Sequence, residues 1–195
     1  MLVLALALVL GNAGWTRAAH DPNAQPSIAG IDNSGQVDAH LYRGAQPDLA
    51  AFASLKENLD IAIVVRLNAE GPDVAAEKSQ VESLGMKFVY LPWSASSVPA
   101  DRQIVEFLDL LRDNPSDKIF VHCREGADRT GVMVALYRLD ADRWSTAQAV
   151  AEMKLYHYHH TLWPQLQRFV ESFPAKLATD KNLSQLTLAP AGVSP

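Results

Sequence analysis

Residues 118–122 read KIFVH, an apolar run of strand length. They pass directly into CREGADRTG at 123–131 and then into the helical pattern VMVALYRLDADR. No other part of the chain limits the possible folds so sharply. A strand must end, a polar loop must turn around its one glycine, and a helix must begin, all within nine residues. In open α/β sheets the carboxyl ends of the strands are where ligands bind. The turn over Arg124, Glu125, Gly126, Ala127, Asp128 and Arg129 offers successive backbone N–H groups. A helix starting near Thr130 adds the positive end of its dipole, so the segment predicts an anion cradle. Gly126 lets the backbone wrap the anion closely. Arg129 brings a planar fork of donors that matches phosphate oxygens.

The surrounding pattern supplies the sheet this segment needs. Strands are expected at 40–43, 61–67 (IAIVVRL), 87–91 (KFVYL) and 118–122. The β-branched run at 61–67 suits a strand buried on both faces. Helical spacing marks 47–59, 74–84, 99–112, 130–143, 146–155 and 161–176, with Ser145 placed to N-cap the fifth. Strands alternating with helices predict an α/β fold, a parallel-rich central sheet flanked by helices. With 195 residues the chain has room for one ordinary domain. We place it at 28–176, preceded by a linker at 19–27 and followed by a loose tail at 177–195.

Cys123 is the only cysteine. It has no partner for an intramolecular disulfide, and a multi-cysteine metal site is excluded. A lone cysteine is ordinarily a buried, inert residue. Here its neighbours are anion-binding types rather than core types. The loop amides, the helix terminus and Arg129 all favour the thiolate. A thiolate beneath a bound phosphate attacks phosphorus, expels the alcohol and leaves a cysteinyl-phosphate for water to hydrolyse. Arg129 and the loop N–H groups hold the equatorial oxygens through the transition state. The Thr130 hydroxyl can donate to the sulfur as it leaves, and His122 is expected to orient the loop. Arg124, Glu125, Gly126, Ala127 and Thr130 are the expected substrate-binding positions. This chemistry calls for no metal and no cofactor.

The segment His122–Cys123, five residues, Arg129, Thr130 resembles the signature of the protein tyrosine phosphatase superfamily. A looser resemblance covers residues 31–170. LYRGAQP at 41–47 is similar to the entry segment of bacterial and plant–fungal atypical dual-specificity phosphatases, and Leu91–Pro92 with the following loop is similar to their general-acid loop. The resemblance implies a cysteine-based phosphatase fold and a phosphoric monoester hydrolase.

The proton donor departs from the usual pattern. The loop reads WSASSVPAD, and no carboxylate stands near Ser96, where the resemblance would put the acid. Asp101 is the one carboxylate of that loop, and it can equally serve as an N-cap. Asp128 sits inside the phosphate loop, an odd place for a negative charge beside a phosphate. The pattern Cys-x-x-Gly-x-Asp-Arg-Thr is similar to myotubularin lipid phosphatases and a secreted mycobacterial tyrosine and lipid phosphatase. In those the loop aspartate is the general acid. Asp128 is therefore the first candidate, Asp101 the second, and a site with no dedicated acid the third.

The balance of charge narrows the partners. A formal net charge of −5 argues against a nucleic-acid binder working through bulk charge. The loop adds Arg124 but also Glu125, fewer cations than a polyanionic phosphoinositide wants. A phosphorylated protein, with phosphotyrosine or dual specificity, is the expected substrate. A phosphoinositide phosphatase, a small phosphoester hydrolase, a weakly catalytic phosphate-binding module and a sulfur-transfer or redox enzyme are the alternatives. The run MLVLALALVL at 1–10 is too short to span a bilayer but suits a signal peptide over 1–18, although no basic residue precedes it. The expected location is periplasmic or secreted. In YHYHH at 156–160, His157 and His160 could face one another, yet no carboxylate follows at ligand spacing, and a helix junction is the simpler reading.

Overall fold

A computed structural model describes residues 27–180 and Leu183. The expected leader lies outside these residues, as does the linker except for Ser27. The apolar runs form a five-stranded sheet in the order β1-β2-β5-β3-β4. The strands are β1 (Gly35–Gln36), β2 (Leu41–Ala45), β3 (Ile61–Arg66), β4 (Lys87–Tyr90) and β5 (Lys118–Cys123). Only the short β1 runs antiparallel to its neighbour; every other pairing is parallel. The helices are α1 (Ala51–Leu59), α2 (Val74–Ser83), α3 (Asp101–Asp113), α4 (Asp128–Asp140), α5 (Thr146–Leu155) and α6 (Pro164–Thr179).

Both faces of the sheet are covered, which is why β3 and β5 read as continuous apolar runs. On one face Ile61, Val64 and Phe120 pack with Phe52, Leu55 and Val81 from α1 and α2. On the other, Ile63, Val65, Ile119 and Val121 pack with residues of α3, α4, α5 and α6, among them Phe107, Val132, Met153 and Phe173. Side chains alternate along a strand. His122 accordingly lies against Phe52 and Phe120 on the first face, while Cys123 belongs to the second. The register sets Ala45 of β2 beside Cys123 and Arg66 of β3 beside His122. Three parallel strands thus deliver their carboxyl ends to one place.

Element bounds differ from expectation where turns compete with helix. Residues 47–50 form a turn closed by the Ala51 N–H to the Asp48 carbonyl, 2.9 Å, so α1 begins late. Helix α4 starts at Asp128, two residues earlier than expected, and stops before Arg143, which has φ of +57°. Pro164 opens α6 as an N1 proline. That helix continues past 176 to Thr179, and Leu183 is fully buried in the core, so the expected tail begins inside the packed structure. Among the described residues no helix is long and apolar enough to cross a membrane.

Candidate active site

Cys123 ends β5, almost completely buried, and the loop to α4 folds over it. Gly126 makes that fold possible. Its φ is +66°, and a Cβ there would stand 2.5 Å from the Gly44 carbonyl carbon and 2.6 Å from the Ala45 nitrogen. The loop therefore lies directly on the end of β2.

Three consecutive loop carbonyls are engaged from outside. The Gln46 N–H donates to the Arg124 oxygen at 3.3 Å. Asn33 Nδ2 donates to the Glu125 oxygen at 2.9 Å, and also to the Tyr156 carbonyl at 3.0 Å. Arg43 Nη2 donates to the Gly126 oxygen at 2.8 Å. With the carbonyls held by these donors, the loop N–H groups are left for an anion, the arrangement expected of a backbone nest. Asn33 itself has φ of +46°, a conformation that asparagine tolerates better than most residues.

Arg43, of the LYRGAQP segment, is fully buried, since β2 is flanked by β1 and β5. Its guanidinium lies 3.5 Å from the centre of the Tyr156 ring. Burial pushes its pKa down to about 10, so it stays charged at neutral pH.

Arg129 reaches back across the site. Its Nη1 donates to the Trp93 carbonyl at 3.2 Å, while its buried Nε has no protein partner among the described residues. The Thr130 hydroxyl is equally buried and has no hydrogen-bond partner among the described residues. Beside the loop opens a cleft of about 490 Å³, lined by Gln46, Asn68, Pro72, Asp73, Arg124 and Arg129 among others.

His122 does something other than expected. Its Nε2 meets Glu77 Oε1 at 2.9 Å, on the far face of the sheet from Cys123. Glu77 is buried and also bonds Arg66 and, at 3.0 Å, Gln46 Nε2. Arg66 Nη2 and Gln46 Nε2 both reach Asp73 Oδ2, at 2.9 and 2.7 Å, and Asn68 Nδ2 donates to Gln46 Oε1 at 2.7 Å. This network ties β3, α2, β5 and the β2–α1 turn beneath the loop. The signal for it was present in the sequence: Glu77 interrupts an otherwise apolar stripe between Val74 and Val81. A charge there needs a buried partner.

The acid candidates separate clearly. Asp101 is the first residue of α3, not its N-cap, and is paired at the surface with Lys176 at 3.0 Å. Asp128 is nearly buried, and both of its oxygens are occupied by one residue. Oδ1 accepts the His159 backbone N–H at 2.9 Å, and Oδ2 meets His159 Nδ1 at 3.0 Å. His159 Nε2 lies 3.7 Å from Glu125 Oε2. The hydrogen bond to Asp128 and the charges of Asp128 and Glu125 hold the imidazolium above its ordinary range, against partial desolvation. The YHYHH cluster thus meets the site through His159, not through the two histidines singled out by spacing. His157 takes a left-handed turn with φ of +60°. Tyr156 supports Arg43. The serines of the 93–100 loop bond mainly to one another, with Ser94 and Ser96 hydroxyls 2.8 Å apart. Gln165 of α6 donates to the Ser96 carbonyl at 3.2 Å.

Comparison with known proteins agrees with this geometry. Residues 20–170 match the family model described as DSP-PTPase phosphatase fused to NAD+ kinase. The chain is 27% identical over 165 residues to the dual specificity protein phosphatase TpbA of Pseudomonas aeruginosa, covering 78% of this chain and 71% of that protein. It is 29% identical over 128 residues to human CDC14A, covering 66% of this chain but only 20% of that protein. The crystal structure of TpbA superposes with a TM-score of 0.62 at 24% identity, covering 83% of this chain and 92% of that one. The Siw14 catalytic core gives 0.63 at 18% identity, covering 80% and 96%. These two likenesses establish the fold, an α/β cysteine-based phosphatase fold. Its sequence, by the family match over 20–170, makes the chain a member of the DSP-PTPase phosphatases, cysteine-dependent hydrolases of phosphoric monoesters.

Proposed function

We propose that the protein removes phosphate from phosphorylated proteins, acting on phosphotyrosine or with dual specificity. Cys123 is the nucleophile. Arg129 and the loop N–H groups from Arg124 to Thr130 hold the phosphoryl oxygens. Thr130 assists the sulfur as it leaves. The observation that carries the reading is the set of loop carbonyls drawn off by Gln46, Asn33 and Arg43 above a buried cysteine. A loop fixed in that sense is preorganised for an oxyanion before substrate arrives.

Protein phosphate is favoured over a phosphoinositide by the charge around the cleft. Arg66, Arg124 and Arg129 line it, but Arg66 is already paired with Asp73 and Glu77, and Glu70 adds a further negative charge. A solved complex of a cysteine-to-serine variant of TpbA holds pTyr, which supports the same substrate class here. The proton for the leaving oxygen comes from the phosphate-loop side, where Asp128 pairs with His159, because Asp101 is turned to Lys176. Export is part of the proposal, supported by the apolar run at 1–10 and the small residues after it.

The test is a panel of phosphotyrosine peptide, phosphothreonine peptide and a phosphoinositide with wild type and Cys123→Ser. Turnover of the phosphotyrosine peptide, blocked by vanadate and lost in Cys123→Ser, is the expected result. Turnover surviving in Cys123→Ser, or confined to the lipid, would overturn the reading.

A further inference from the structure

We infer that His159, oriented by Asp128, is the proton donor to the leaving oxygen. The inference rests on the phosphatase reading above and refines it. Its basis is the two-point grip of Asp128 on His159. With one oxygen on the His159 backbone N–H at 2.9 Å and the other on Nδ1 at 3.0 Å, the carboxyl is an acceptor on both sides. Both of its oxygens are thereby engaged by His159 and neither is left over for a substrate. What it fixes instead is the imidazole, with Nδ1–H directed at Asp128 and the proton on Nε2 presented to the rim of the loop. A carboxylate orienting a catalytic imidazole in this way recurs on unrelated folds.

The Nε2 proton is available. Among the described residues it makes no hydrogen bond, and Glu125 Oε2 stands 3.7 Å away, an ion pair too long for one. The ring is partly exposed, at 38% for the side chain, so a substrate group can reach it. Among the described residues the charged groups paired with it are anionic: Asp128 from the start of α4 and Glu125 from the phosphate loop. The neighbouring Tyr158 is kept neutral by burial. The same pairing explains a carboxylate inside a phosphate-binding loop, since the imidazolium cancels the charge that would otherwise repel the substrate. It also supplies the acid that the WSASSVPA segment lacks.

The step balances as follows. The Cys123 thiolate forms the sulfur–phosphorus bond, the ester oxygen–phosphorus bond breaks, and that oxygen takes the Nε2 proton. The alcohol departs, leaving neutral His159 still hydrogen-bonded to Asp128. In the second half a water oxygen bonds to phosphorus and its proton passes to Nε2. The sulfur leaves as thiolate, and hydrogen phosphate is released.

The test compares wild type, His159→Asn and Asp128→Asn on phenyl phosphate and on 2,4-dinitrophenyl phosphate, whose leaving group needs no proton. Asparagine at 159 keeps the backbone N–H and an amide N–H toward Asp128 but carries no transferable proton. His159→Asn should lower kcat on phenyl phosphate by about 100-fold, within the range of general-acid catalysis, and change the activated ester by less than about threefold. The alkaline limb of the wild-type phenyl phosphate profile should disappear with it. Equal slowing of both esters, or a His159→Asn enzyme as fast as wild type while Asp128→Asn is slow on phenyl phosphate alone, would overturn the inference. Failure of the underlying reading looks different. Cys123→Ser would then retain turnover, or rapid quench of wild type would trap no phosphoenzyme.

Discussion

The Nη2 of Arg43 donates to the carbonyl oxygen of Gly126 across 83 residues of sequence, at 2.8 Å. One bond thereby joins the end of β2 to the middle of the phosphate loop and holds the peptide with its oxygen away from the anion. Arg43→Met should leave that buried carbonyl without its donor, at a cost of about 1–3 kcal/mol. Phosphate and vanadate should bind at least about tenfold more weakly, in line with the loss of about 1.4 kcal/mol or more. Chemical denaturation and vanadate titration check the two effects separately. Arg43→Lys should restore little, because a single ammonium cannot replace the planar group lying over Tyr156.

Gly126→Ala asks more of the loop than a bond. The backbone there is left-handed, and the added carbon would collide with Gly44 and Ala45. Strain of this kind costs about 1–3 kcal/mol per residue. Turnover should fall by more than about 100-fold, while circular dichroism reports an intact sheet. An active Gly126→Ala enzyme would mean that the loop does not need to rest on β2.

Glu77 should behave as a structural anchor. Glu77→Ala leaves Arg66 and His122 buried without their shared acceptor, and breaking such a pair costs about 3–5 kcal/mol. Glu77→Gln keeps an acceptor oxygen and should cost less. Urea unfolding of the two variants distinguishes them, and equal stability would show that Arg66 and His122 find other partners.

Asp101→Asn tests the discarded acid. Its pair with Lys176 lies at the surface, and pairs of this kind contribute about 0–1 kcal/mol. Activity on phenyl phosphate should stay within about twofold of wild type. A large, leaving-group-dependent loss would return the acid to that loop.

The His159 pairing also carries a pH signature in stability. Its imidazolium is favoured in the folded state, so its folded pKa lies above the unfolded one. The stabilisation is complete below about pH 6.5 and is lost as pH rises through the folded value. The difference in thermal midpoint between wild type and His159→Asn should therefore shrink as pH is raised from about 6 to above about 8. A difference that grows over that interval would contradict the pairing.

The sheet, its helices and the reacting loop were legible because each depends on local pattern. Strands covered on both faces read as apolar runs, and the cysteine, glycine and arginine of the loop stand close together in one short segment. The supports were not legible. Asn33, Gln46 and His159 are polar residues whose side-chain partners lie 22 to 123 positions away. No periodicity marks a side chain chosen to meet one distant carbonyl. Asp128 shows both sides of this. Its oddness was visible in the sequence, but its partner was hidden in a histidine cluster where spacing drew attention to the two other members.

The alternation along β5 has a consequence for the order of two letters. Imidazole and sulfur are adjacent in the chain, yet the sheet lies between them like a partition. Exchanging them, by His122→Cys together with Cys123→His, would preserve composition, charge and nearly all the volume. It would deliver the sulfur to the compartment of Phe52 and Glu77, walled off from every incoming phosphate. What makes this dipeptide reactive is its parity.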